Sequence, residues 1–220
     1  MEDESGKSRK IARSKAAITT AFWVLRLLPR PVCSLTTSSG NKRVEDYHRH
    51  HEAYGYFLPI QIRWQDNDQY DQVNDVVCYS YFDTIINHYL IRYCALKTSL
   101  LMSPMVGFMV TNWCTYLRSI SFPQVLVAAL AAEKMGRSGA LRLTLFPPQF
   151  DRSTTEPPQV DHRDLADGFF GRPKLACFDV LACTTGSAVH VFVSQATSKP
   201  TELPEDFRSS LLRLMRPVSV

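Results

Sequence analysis

The chain has 220 residues, of which 45% are apolar and 21% charged, with a formal net charge of +4. That length allows one domain with tails, and the composition is that of an ordinary globular protein able to bury a core. The charge is uneven: Ser5 to Val44 holds nine basic residues and no acid, so the remainder is close to neutral or negative and is not an obvious nucleic-acid binder.

The first 54 residues read as a basic leader and linker. Ala16 to Leu28 is its only strongly apolar piece; Arg26 interrupts it and it is too short to span a membrane. Arg- and Ser-rich and almost free of acids, residues 1–44 resemble a mitochondrial transit peptide, the alternative being a basic tail on a cytoplasmic protein. Tyr47 to Gly55, with His48, His50 and His51, reads as a solvated linker rather than a metal tract. The six cysteines form no CxxC pair and have no ligand spacing, so no zinc site is expected and buried thiols in a reducing compartment are.

From Leu58 to Tyr93 the chain reads strand, acidic loop, helix. Ile60 to Trp64 alternates. Gln65 to Asp75 carries Asp66, Asp68, Asp71, Asn74 and Asp75. Tyr81, Phe82, Ile85, Ile86, Tyr89, Leu90 and Tyr93 then fall on one helical stripe. Ala95 to Val106 is expected as a loop. Gly107 to Arg118 is rich in aromatic and β-branched residues and predicts a strand. Val125 to Met135 is ambiguous, helical by its Ala and Leu content and a buried strand by its position. Gly136 to Ser138 reads as a hairpin turn, and Leu141, Leu143 and Leu145 share one strand face. The proline-rich, aperiodic stretch 147–173 is expected as a long surface loop inserted in the domain. Leu175 to Ser194 predicts a last strand and Glu205 to Leu214 a short helix.

One helix followed by several strands argues for α+β with an antiparallel sheet. A single sheet with a helix on one face leaves its other face bare, which predicts a dimer.

Ile62-Arg63-Trp64-Gln65-Asp66-Asn67-Asp68, then Val73-Asn74, then Tyr81-Phe82, resembles the signature of the 4-hydroxybenzoyl-CoA thioesterase family, R-W-x-D-x-D-x-x-G-H-V-N-N with a Y-F pair on the helix. The resemblance continues through Gly107-Phe108, Tyr116 to Arg118, Gly136 to Ser138 and His190 to Val193. It implies a hotdog fold over residues 55–214, an antiparallel sheet wrapped around one long central helix. It further implies a double-hotdog homodimer or homotetramer, acyl-CoA as substrate, hydrolysis to free acid and CoA, and no cofactor or membrane span. It settles Val125 to Met135 as a strand. By position Asp68 matches the catalytic carboxylate, which would attack the thioester carbonyl or activate a water. The helix amino end would then steady the oxyanion. Asp66 is expected to be structural. Asn74, which reads first as a helix N-cap, and Tyr81, which reads first as a core residue, are candidates for the thioester and acyl group, and Arg137 and Ser138, which read first as a solvated turn, for CoA phosphates. Arg118 is a weaker candidate of the same kind, and Tyr79, Phe82 and His190 read first as core or strand residues. The chain departs from the pattern at Asp71-Gln72, where the family has Gly-His. A module that binds acyl groups or a protein without catalysis is therefore the alternative.

Overall fold

The computed structural model describes residues 46–97, 104–136, 138–149, 160–171 and 173–215. The leader 1–44 and the candidate Arg137 lie outside them. In chain order the elements are β1 (Tyr56–Gln61), α1 (Asp75–Tyr93), β2 (Met105–Tyr116), β3 (Val125–Met135), β4 (Ser138–Phe146), α2 (His162–Asp167), β5 (Phe169–Phe170), β6 (Thr184–Ser194) and α3 (Glu205–Leu212). The six strands form one sheet in the order β2-β6-β4-β3-β1-β5, every pair antiparallel. None of the described helices is long and apolar enough to cross a membrane.

The helix starts where Asn74, in extended conformation, accepts a hydrogen bond from the Val76 N–H, an ordinary N-cap. Six residues of its expected stripe, Tyr81, Phe82, Ile85, Ile86, Tyr89 and Leu90, are buried together with Cys78, while Tyr93 is half-buried. It ends with Ala95 at φ 55 and the Leu96 N–H donating to the Leu90 carbonyl, so a left-handed residue closes the last turn without the usual glycine.

Val125–Met135 is a strand despite its Ala and Leu content, because tertiary burial outweighs intrinsic propensity. Its first eight residues are buried without alternation, as in a strand covered on both faces. Leu126, Ala128 and Leu130 join Ile85, Ile86 and Tyr89 on the helix side. Val127, Ala129 and Ala131 join Phe57, Phe146, Phe169 and Phe178 in a second core on the other side.

That second core corrects three expectations. Residues 46–54 are not a solvated linker: they form a short 3-10 turn, His51–Ala53, His50 bridges Leu181 and Tyr54 is buried. The insertion is not simply a surface loop, because its described part folds α2 and β5 and adds β5 to the edge of β1. The last strand begins at Thr184, not Leu175, since Pro173–Cys177 is a 3-10 turn whose Leu175 enters the second core. The outer face of the central strands is thus covered by the chain itself. What stays open is β2 at the sheet edge, where Phe108, Val110 and Trp113 are exposed.

Candidate functional site

Loop 63–74 joins β1 to the amino end of α1, and two of its carboxylates are held in opposite ways. Asp66 is buried. Its Oδ2 accepts from the Arg63 N–H (2.8 Å) and the Tyr81 hydroxyl (2.8 Å), and its Oδ1 from the Arg63 guanidinium (3.3 Å). Its backbone carbonyl accepts from the Asn74 N–H (2.9 Å). Burial pushes the Asp66 carboxyl up, but those donors together outweigh it and hold the group below the usual carboxylate range. Asp66 therefore fastens the loop to the helix, the structural role expected of it.

Asp68 is half-buried. Its Oδ1 accepts from the N–H groups of Tyr70 (2.7 Å) and Gln72 (3.2 Å), and its own N–H donates to the Gln72 carbonyl (2.7 Å). Such side-chain to backbone bonds fix a turn locally. Oδ2 carries no hydrogen bond from the described residues, so Oδ1 alone orients the carboxylate among them.

Asp71 sits at φ 60, the left-handed conformation that favours glycine, and Asp is among the few other residues that adopt it. Its Oδ1 accepts from the Asn67 amide (2.9 Å), while Asn67 Oδ1 accepts from the Phe122 N–H (3.1 Å). Asn67 thereby ties the loop to the turn before β3, a role that nothing in its sequence context signalled.

Beside this loop lies a cavity of about 230 Å³ between the first turns of α1 and residues 116–120. Gln72, Asp75, Cys78, Arg118 and Thr184 are among its walls. Asp68 does not line it directly; it stands one hydrogen bond behind Gln72. Burial pushes the Cys78 thiol up to about 12, so this wall is a neutral thiol and not a nucleophile. The Tyr116 hydroxyl donates to the Asp75 carbonyl (3.1 Å) and fixes the far wall to the helix. Arg118 pairs with Asp179 at 2.8 Å and also donates to the Leu181 carbonyl (3.2 Å). It is thus anchored rather than free for phosphate.

The sequence candidates separate into two groups. Asp68, Asn74 and Arg118 come together at the amino end of α1. Tyr81 is buried, and its hydroxyl reaches the site only through Asp66. Ser138 lies opposite Val191, seven residues along β6 from Thr184 in the cavity wall, which is about 23 Å at the usual rise. A single chain therefore does not bring Ser138 to Asp68. His190 is buried further along β6 and burial lowers its pKa.

No family model matches the chain, and no curated protein does. Among solved structures, the PA5185 protein from Pseudomonas aeruginosa is 30% identical. The match covers 75% of this chain and 94% of that one, with a TM-score of 0.57. The chain belongs to the same family as that Pseudomonas protein. The SAV2348 protein from Staphylococcus aureus, solved in complex with CoA, is 15% identical over 76% of this chain and 88% of its own, with a TM-score of 0.54. An Asp-to-Asn mutant of 4-hydroxybenzoyl-CoA thioesterase complexed with 4-hydroxybenzoyl-CoA is 14% identical over 70% and 96%, with a TM-score of 0.51. At those identities the last two speak to fold alone. The sheet, the central helix and these neighbours make this a hotdog fold of the α+β class.

Proposed function

We propose that this protein hydrolyses acyl-CoA thioesters to free acid and CoA, as a member of the 4-hydroxybenzoyl-CoA thioesterase family, with Asp68 as the catalytic carboxylate. The observation that carries the reading is the Asp68 carboxylate: one oxygen is fixed by two N–H groups and the other is unbonded among the described residues, on the loop that feeds the helix amino end. The carboxylate either attacks the thioester carbonyl, giving an anhydride that water cleaves, or takes a proton from a water that attacks. In both routes the carbonyl oxygen gains negative charge, which the positive end of α1 stabilises. The C–S bond then breaks and CoA leaves as the thiolate, which takes a proton back from Asp68 in the water route and from solvent in the anhydride route. The left-handed conformation of Asp71, which glycine also adopts readily, supports this over the silent module.

The test is release of thiol from a panel of acyl-CoAs by the native chain and by Asp68→Asn. Hydrolysis by the native chain and its loss in the variant is the expected result. Tight acyl-CoA binding without turnover by the native chain would leave the non-catalytic module as the reading.

We further infer that two copies pair along β2, a strand at the sheet edge with Phe108, Val110 and Trp113 exposed. Such pairing offers a route for Ser138 to serve the partner's site. Sedimentation is expected to give at least a dimer; a strictly monomeric chain would remove this part. Residues 1–44 are proposed to direct mitochondrial import, which a reporter fused to them and found throughout the cytosol would refute.

A further inference from the structure

We propose that a cleft on the outer face of the sheet binds a small aromatic anion, a ring carrying a carboxylate or a phosphate monoester, at a site separate from the one beside Asp68. The cleft has a volume of about 440 Å³ and lies between residues 46–54 and strands β2, β4 and β6. Strand register fixes which side chains meet there. Trp113 stands opposite Ser187, and Ser187 opposite Arg142; Thr115 stands opposite Thr185, and Thr185 opposite Thr144. Successive strand residues point to opposite faces, and Gly186, next to Thr185, packs against Phe82 of α1. The two rows therefore share the face turned away from the helix. Thr184 borders the cavity beside α1 while Thr185 borders this cleft, so the sheet stands between the two.

The polar groups come from two distant parts of the chain. Arg142 belongs to β4, and His48 and Arg49 to the segment before β1. That segment is pinned in place: the Ala182 N–H donates to the Arg49 carbonyl (2.9 Å), the Tyr54 hydroxyl donates to the His48 carbonyl (2.8 Å), and the Thr144 hydroxyl donates to that of Tyr54. Among the described residues His48 Nδ1, Arg49 Nε and Arg142 Nε are buried without a hydrogen-bond partner. Buried polar groups are ordinarily satisfied, and three exceptions on the walls of one cleft call for acceptor atoms. Arginine forks match carboxylate and phosphate oxygens.

The charge present suits one further anion. Glu133 pairs with Arg142. Asp46 lies at the rim, 3.9 Å from Arg49 and 69% exposed, too far for a hydrogen bond and screened by water. Only Arg142 thus has a close counter-ion. Burial, and next Arg142, lower the His48 pKa, so the imidazole is neutral at pH 7 and adds no charge. The ring of the ligand follows from Trp113, which is 51% exposed and lines the cleft. It stands two strands from Arg142, about 10 Å at the usual strand spacing. A ring stacked on the indole can reach the guanidinium with its anionic group.

The experiment uses the full chain with phenyl phosphate and benzoate as probes, read as Kd by calorimetry. Inorganic phosphate and benzyl alcohol serve as the ring-free and uncharged controls. One site per chain is expected for at least one probe, and the tighter probe separates a phosphate ligand from a carboxylate. Both controls should bind at least tenfold more weakly. Arg49→Gln and Trp113→Ala should each weaken the tighter probe at least tenfold; Arg49 lies off β2, so its effect is separate from any pairing along that edge. Arg142→Lys, which keeps a charge for Glu133 but loses the fork, should weaken it several-fold. Saturating CoA should leave the Kd unchanged. No saturable binding of either probe, controls that bind as well as the probes, or a Kd unmoved by whichever variants keep the native urea midpoint would overturn the proposal. Displacement of the probe by CoA would overturn it as well, since the cleft would then be part of the thioester site.

Discussion

The loop at residues 63–74 and the described residues of 160–183, which span the end of the insertion and the approach to β6, use their side chains differently. The loop holds its shape with bonds to its own backbone through Asp66 and Asp68, is tied by Asn67 to Phe122 before β3, and leaves Trp64 and Tyr70 exposed. The second segment buries Phe169, Leu175 and Phe178 and is pinned to the helix from outside. Tyr56 Oη lies 2.6 Å from His88 Nδ1, His88 Nε2 lies 2.9 Å from the Ala166 carbonyl, and the Tyr93 hydroxyl donates to the Asp167 carbonyl at 2.8 Å. Arg92 pairs with Asp167 at 2.6 Å. A segment shaped locally can display a carboxylate without a core to support it; a segment shaped by burial supports the sheet and displays little. Damage to the first should cost activity, and damage to the second stability.

The largest effect expected is in the second segment. Phe178→Ala removes a buried aromatic from the second core and should cost about 3–5 kcal/mol of stability, read from urea unfolding. Thioester hydrolysis by the folded fraction should stay within a few-fold of native. A large fall in kcat with normal stability would break the division drawn between the two segments. In the loop the opposite pattern is expected. Asp68→Asn keeps an Oδ1 acceptor for the Tyr70 and Gln72 N–H groups, so the urea midpoint should barely move. Hydrolysis should fall by about a hundredfold or more, equivalent to about 2.7 kcal/mol of barrier.

A smaller effect sharpens the same contrast. Gly168 follows α2 at φ 64, and a Cβ there would strike the Tyr56 hydroxyl and come within 2.8 Å of the Phe57 carbonyl oxygen. Gly168→Ala should destabilise by about 2 kcal/mol through strain and displaced contacts, read as a lower urea midpoint with kcat preserved. An unchanged midpoint would mean that the insertion is not seated on β1 as described.

How far each segment was legible follows from how it is held. Motif spacing in the loop is local, so the strand, the acidic turn, the Asn74 cap and the helical stripe could all be read from neighbouring residues. The second core could not. Tyr54 and Phe57 lie more than a hundred residues from Phe169 and Phe178 and share no period with them, and only the fold brings the two pairs together. Asp71 fell between these cases. Its left-handed conformation needs the Asn67 bond four residues back, and no rule of spacing supplies that. Ser138 is a different case: the resemblance put it in the site, and within one chain it lies at the other end of β6, opposite Val191.

Asp66 gives the finest test, because it belongs to the site loop yet behaves as a support. Its carboxyl is held below its usual range in the folded state: the donors from Arg63 and Tyr81 outweigh the opposing effect of burial. A depressed folded pKa contributes stability that is fully present above the unfolded value, about 3.9, and is lost as pH falls through the lower folded value. The window therefore lies below about pH 4, not near neutrality. Asp179 is also held low by Arg118 and would contribute to acid unfolding of the native chain, so the informative quantity is the difference between native and Asp66→Asn. The variant keeps one acceptor but no charge. Its urea midpoint should sit below native at pH 7, and the gap should narrow as pH falls below 4, where the native carboxyl takes up its proton. A gap that stays constant down to pH 2.5 would mean that the Asp66 charge does not fasten the loop to the helix.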